Sequence, residues 1–216
     1  MKMWGSLILP WKISFEQGWE AYCSGSIPIG AAIVDGCGEI LAVGRSMQHE
    51  EVSMEKHQIV DHPLSHAEVN ALLGLNYNQI NPHECVLYSI VEPCPLCIGA
   101  LAMARIKNIK YAARDPYAGS AAMITSFDYL IKKQIKVEGP QDTDFEDVII
   151  ALQTEFFLRT QRSSADRVLR SWRKVLERGV SLGFRIQESG ELYQLAKGQA
   201  TAEEAIGYLY GELHVD

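Results

Sequence analysis

Apolar residues switch along the chain between helical and strand-like spacing. Phe15, Trp19 and Tyr22 recur at three- and four-residue intervals, so residues 11–24 read as an amphipathic helix. Two short apolar runs follow, 29–34 and 39–43, joined by Asp35-Gly36-Cys37-Gly38, whose Asp-Gly step is a hairpin signal. Residues 47–63 are polar and aperiodic and read as a loop. A helix is predicted over 65–75, a strand over 85–90 and a second helix over 96–106. Pro93 cannot continue a preceding helix, and Pro95 suits a first helical position. Another strand is predicted over 109–113. Strands alternating with helices argue for a layered α/β domain.

Residues 161–216 have a different character. Ala165, Val168, Leu169, Trp172, Val175 and Leu176 form one helical stripe, while Arg167, Arg170, Arg173, Lys174 and Arg178 crowd the other positions. Thr201-x-x-Glu204 reads as a capping box, with Ala205, Ile206, Leu209, Tyr210 and Leu213 on one face of the helix it opens. The chain is therefore divided into a first unit of residues 1–160 and a C-terminal helical extension of residues 161–216. Packing of that extension on the first unit or on a partner subunit is weighed against contact with nucleic acid, and charged helix faces are usually just solvated.

At 216 residues the chain can bury a substantial core. Its net charge of −7 opposes long-range attraction to a polyphosphate, which disfavours tRNA as a partner. The deficit sits in residues 1–150, with 11 basic and 18 acidic residues, whereas residues 151–216 hold nine of each. A local basic strip thus remains available for RNA. Five cysteines do not suggest a disulfide framework. Residues 1–10 lack a small-residue cleavage site and no run approaches a membrane span, so the expectation is a cytoplasmic protein with no membrane contact.

The chemistry concentrates in His66-Ala67-Glu68 and Pro93-Cys94-Pro95-Leu96-Cys97. His66, Cys94 and Cys97 supply three zinc ligands, and Glu68 is a carboxylate not needed as a fourth. A structural zinc site normally closes with four protein ligands, whereas a catalytic one keeps a position for water and needs a base nearby. Cys94 and Cys97 at the start of a helix also sit where partial positive charge favours thiolate. Other readings stand beside this one. Ser65-x-x-Glu68 is itself a capping box, and His66 and Glu68, two apart, share an ion only if they lie at a helix's first turn. Cys94-Pro95-Leu96-Cys97 after a strand also looks like a redox pair.

Taken together, His66-Ala67-Glu68-Val69-Asn70-Ala71-Leu72, Glu92-Pro93-Cys94-Pro95-Leu96-Cys97 and Ala113-Arg114-Asp115 resemble the cytidine deaminase-like superfamily, whose signature is H-x-E followed by P-C-x-x-C. The likeness is strongest to its branch of bacterial tRNA adenosine, guanine and cytosine deaminases. Pro28-Ile29-Gly30-Ala31 resembles the entry to that family's first hairpin, and residues 144–160 its closing helix. The resemblance implies a three-layer α/β/α sandwich around a mixed five-stranded sheet, Zn2+ as cofactor and a homodimer. It also implies that Glu68 moves protons as the amino group of a purine or pyrimidine base or nucleoside is replaced by a carbonyl, with loss of ammonia. Adenosine-to-inosine editing of tRNA is the alternative. A non-enzymatic module, with Cys85 or His62 as fourth zinc ligand, is another.

Substrate contacts are less clearly marked. The family usually ends its second strand on an asparagine that bonds the base, whereas here Ser46 holds that place with a single hydroxyl. His62 and Pro63, just before His66, are candidates to approach the pocket from one side, and Asp115 and Tyr117 from the other. Glu50, Glu51, Glu55, His57, Asp61 and His62 belong to a loop that lines the pocket, forms a second metal site or, as such runs more often are, is simply solvated.

Overall fold

The computed structural model describes residues 2–50 and 58–215. A short helix α1, Lys2–Ser6, precedes α2, Leu9–Cys23, which has Pro10 in its first turn. Strands β1, Gly30–Val34, and β2, Ile40–Arg45, form the expected hairpin. Asp35 shapes its turn, with Oδ1 accepting the N–H groups of Cys37 and Glu39 at 2.8 and 3.0 Å. Helix α3, Ala67–Leu73, leads to β3, Val86–Val91, then α4, Pro95–Met103, and β4, Asn108–Ala113. A 3-10 turn at Ala121–Thr125, α5 at Asp128–Lys133, β5 at Lys136–Glu138 and α6 at Thr143–Arg159 complete the first unit. The sheet order is β2-β1-β3-β4-β5, antiparallel on the hairpin side and parallel from β3 to β5.

The sheet lies between two apolar layers, giving the three-layer α/β/α sandwich. On one face Ala67, Ala71, Ile98, Leu101 and Ala102 of α3 and α4 meet Ala31, Ile33 and Leu87. On the other, Trp11, Phe15 and Trp19 of α2 and Phe145, Ile149 and Phe156 of α6 meet Val34, Tyr88 and Ile90. Helix α3 lies close to the sheet because Gly44 in β2 has no side chain: a Cβ there would strike the backbone of Ala67 and Ala71. One glycine thus sets the depth of the helix that has His66 as its N-cap and Glu68 in its first turn.

The C-terminal part is all helical: α7, Ala165–Trp172; α8, Glu177–Ser189; α9, Glu191–Lys197; and α10, Ala202–Leu213. Its buried residues, Val168, Trp172, Val180, Ile186, Leu192 and Leu209 among them, belong to the same cluster as α2 and α6. Trp19 ties the two parts directly, donating from Nε1 to the Ala200 carbonyl at 2.7 Å. The Thr201–Glu204 capping box forms in both directions. The apolar stripe does not run through one helix. α7 ends at Trp172, and Val175 in the bend before α8 is 56% exposed, because the chain turns there to lay α8 on α6. Gly183 permits that contact, since a Cβ would run into Thr154. No helix among the described residues is long and apolar enough to cross a membrane.

Candidate active site

Helices α3 and α4 point their N-termini at one place. His66 is the N-cap of α3, in an extended conformation, and Glu68 lies in the helix's first turn. Ser65 is therefore not the cap, and the Ser65–Glu68 capping box does not form. The Ser65 hydroxyl instead donates to the Ile59 carbonyl and accepts from Met47 N–H, pinning the preceding loop. Asn70 secures the same loop, its amide bonding Arg45 and Ile59 carbonyls and accepting Ile59 N–H at 2.8 Å. Cys94 is the N-cap of α4 with Pro95 at its first position, which places Cys97 in the first turn. Both helix ends direct unpaired N–H groups and partial positive charge toward the site.

His66 Nδ1 lies 3.5 Å from each of the Cys94 and Cys97 sulfurs, which are 3.6 Å apart. Zinc with Zn–S near 2.3 Å and Zn–N near 2.0–2.1 Å in tetrahedral array requires S···S edges of about 3.8 Å and S···N edges of about 3.5 Å. The three donors fit that ion. They form the His/Cys/Cys group that can hold a metal, and neither Cys85 nor His62 belongs to it. Cys85 Sγ contacts the Asn81 carbonyl, while His62 is exposed and its Nδ1 accepts Leu64 N–H.

The charges suit the same use. The Cys97 thiol beside Cys94 pulls the Cys94 thiol down to about 4, with the hydrogen bond to His66 adding to this and burial opposing it. Cys97 itself is pushed up by Cys94 and by burial. His66 is raised, chiefly by its contact with Cys94. Glu68 is 4% exposed, and burial raises its carboxyl above the ordinary range. Its Oε1 accepts from the Ser89 hydroxyl at 3.1 Å and its Oε2 from the Cys97 thiol at 3.2 Å. Burial that disfavours the charged form makes such a carboxylate a better proton acceptor than an exposed one.

Above these groups lies a pocket of about 210 Å³. Apolar walls come from Ile27, Ile29 and Val91 on one side and Phe157, Val168 and Trp172 on the other. Asp115 and Tyr117 stand in its wall as the sequence suggests, but Asp115 is also a structural hub. Its Oδ1 accepts Tyr117 N–H, Ala118 N–H and Trp172 Nε1–H, the last at 2.8 Å. Ser46, His62 and Pro63 are not among the lining residues. Ser46 is buried, its N–H given to the Ile29 carbonyl, and Pro63 is exposed, its carbonyl accepting from Gln48. Of the acidic loop, Glu51, Glu55 and His57 lie outside the described residues; Glu50 pairs with Arg45, and Asp61 is exposed. Ser89 beside Glu68, and Gln153 and Arg162 in the pocket lining, carry no mark in the sequence, and Trp172 is marked there only as part of the apolar stripe.

Residues 11–113 match the family description "cytidine and deoxycytidylate deaminase zinc-binding region". The chain is 35% identical over 96 residues to a tRNA(Ile)-lysidine synthase of Deinococcus radiodurans, covering 44% of this chain and 15% of that protein. It is 37% identical over 106 residues to guanine deaminase of Bacillus subtilis, covering 47% of this chain and 60% of the relative. To the tRNA-specific adenosine deaminase of Aquifex aeolicus it is 30% identical over 115 residues, 52% of this chain and 70% of the relative. The chain thus spans under two thirds of the first two of these proteins, and the residues that match the family, 11–113, include His66, Glu68, Cys94 and Cys97. On this similarity the chain belongs to the cytidine deaminase-like superfamily.

Proposed function

We propose that the protein is a zinc-dependent hydrolytic deaminase that replaces the amino group of a purine or pyrimidine base or nucleoside by a carbonyl and releases ammonia. The observation that carries this reading is the spacing of His66, Cys94 and Cys97 at the edges of a zinc tetrahedron, with buried Glu68 beside them at the floor of a small pocket. Bound by those three residues, zinc supplies the Lewis acidity that makes water a nucleophile near neutral pH. Glu68 takes a proton from the attacking water and passes it to the ring nitrogen. It then takes the remaining proton of the hydroxyl now bonded to the ring carbon and passes it to the amino group, which leaves as ammonia while the hydroxyl oxygen becomes the carbonyl and Glu68 returns to its starting state. Ser89 holds the Glu68 carboxylate in place. The apolar walls exclude bulk water and fit a flat ring, and the volume lies below the roughly 300–1,000 Å³ of pockets that take drug-sized ligands.

In this reading residues 1–160 carry the chemistry and the 161–216 extension closes the pocket. A second copy of the chain covers the face where Leu96 and Met103 of α4 and Phe127, Tyr129 and Ile131 around α5 stand exposed, giving the homodimer. The free cysteines suit the reducing cytoplasm. Deamination of adenosine in tRNA is kept as a second reading, because Arg170, Arg173 and Lys174 line a groove on the outer side of α7 that a phosphate backbone would fit. An ammonia-release screen over cytosine, guanine, adenine, their nucleosides, triazines and pterins, run beside a tRNA inosine assay, tests both. Ammonia from a small substrate supports the first reading; inosine in tRNA with no small-substrate turnover replaces it with the second.

A further inference from the structure

Besides Tyr117 and Ser164, four polar side chains outside the metal and proton-transfer group line the pocket. Two are already committed. Glu92 accepts Ala121 N–H at 3.0 Å and Asp115 N–H at 3.3 Å, and Asp115 holds the Tyr117 turn and Trp172. The other two, Gln153 and Arg162, are not. Gln153 of α6 is 1% exposed, and its amide nitrogen finds no hydrogen-bond partner among the described residues. Arg162, in the link from α6 to α7, packs its guanidinium 5.3 Å from the Phe156 ring centroid, and its buried Nε–H likewise finds none. Burial is the cause that lowers the Arg162 pKa. Buried donors normally have acceptors, and since both residues line the pocket, a ligand seated there is the partner their side chains could turn to.

Resting on the reading of this pocket as a deaminase site, we propose that Gln153 and Arg162 are specificity-determining residues that bind a carbonyl oxygen on the substrate ring. The substrate class is then an oxo-substituted amino heterocycle of the cytosine or guanine type. Both residues offer N–H donors at these atoms, and a carbonyl oxygen has two lone pairs to receive them. Adenine has only single-lone-pair ring nitrogens once its amino group is at the reacting end. Ser46 is buried outside the pocket lining, which leaves base reading to α6 and the extension. A site built to hydrogen-bond a substrate group discriminates strongly against a ring that lacks it.

The test uses Glu68→Ala protein, whose binding can be read without turnover, with cytosine, guanine and adenine as probes in calorimetry. Cytosine or guanine should bind more tightly than adenine. Adding Gln153→Leu or Arg162→Met should weaken that binding about ten- to hundredfold and leave adenine within threefold. In the otherwise intact enzyme the same substitutions should raise KM with kcat within a few-fold, and Gln153→Leu should leave the melting temperature unchanged or raised, because it removes an unpaired buried donor. Preference for adenine, binding of neither oxo base, or oxo-base affinity unchanged within threefold in both variants overturns the proposal. Wild-type protein that releases no ammonia while retaining Gln153-dependent binding of cytosine or guanine overturns the deaminase reading alone.

Discussion

Trp172→Phe tests whether the C-terminal helices are part of the pocket. Trp172 is 2% exposed, its ring lies 5.7 Å from that of Phe157, and Nε1 donates to Asp115 Oδ1 at 2.8 Å. Phenylalanine keeps an aromatic ring in place but removes that donor and leaves a small void. Loss of a hydrogen bond to a charged acceptor costs about 1.5–3 kcal/mol, and a methyl-sized void adds about 1 kcal/mol. The sum, about 2.5–4 kcal/mol, corresponds to a fall in melting temperature of roughly 5–15 °C for a chain of this length. Because the same carboxylate holds the Tyr117 and Ala118 N–H groups at the pocket rim, KM should rise along with the loss of stability. Calorimetry and steady-state kinetics on the variant read both effects. A melting temperature within 2 °C of wild type together with an unchanged KM would refute the docking of α7 on the pocket.

Gly44→Ala should lower the melting temperature by several degrees and reduce turnover more than tenfold, because a methyl group forced against the α3 backbone displaces His66 and Glu68; normal activity in circular-dichroism-matched protein would count against this. Arg170→Glu with Arg173→Glu should leave small-substrate turnover within a few-fold at low and moderate salt, since these residues line the outer groove and not the pocket, although loss of the Arg173 contact over Phe184 at 4.8 Å trims stability. Salt-sensitive tRNA editing that this double variant abolishes would favour the RNA substrate. Light scattering should show a dimer at micromolar concentration that Leu96→Glu with Met103→Glu converts to monomer; a monomeric wild type contradicts the proposed interface.

The elements around the metal group are legible in the chain because ligand chemistry dictates residue type and helix entry dictates Pro93, Pro95 and the first-turn placement of Glu68. The alternating sheet and helices through residue 113 follow for the same reason, each having a clear apolar period. Other elements leave weaker traces. β5 is three residues long and no part of it is fully buried, so only its pairing with β4 defines it. α8 presents Gly179 and Gly183 where it meets α6, and small residues hide the periodicity that larger side chains would show. The far wall of the pocket is not legible at all. Gln153, Arg162 and Trp172 stand more than 50 positions from Cys97 and meet it only because α6 and α7 fold back over the sheet. Gln153 is one of several polar residues on the buried stretch of α6, with Glu146, Asp147, Thr154 and Glu155, so nothing local sets it apart.

The most direct test of the account is metal content and turnover measured together on wild type, Glu68→Ala and the Cys94→Ala, Cys97→Ala double variant. The wild type should hold about one zinc per chain and release ammonia; Glu68→Ala should keep the zinc and lose the turnover; the cysteine variant should lose both. Full zinc occupancy in the cysteine variant, or undiminished ammonia release by Glu68→Ala, would contradict the assignment of this site.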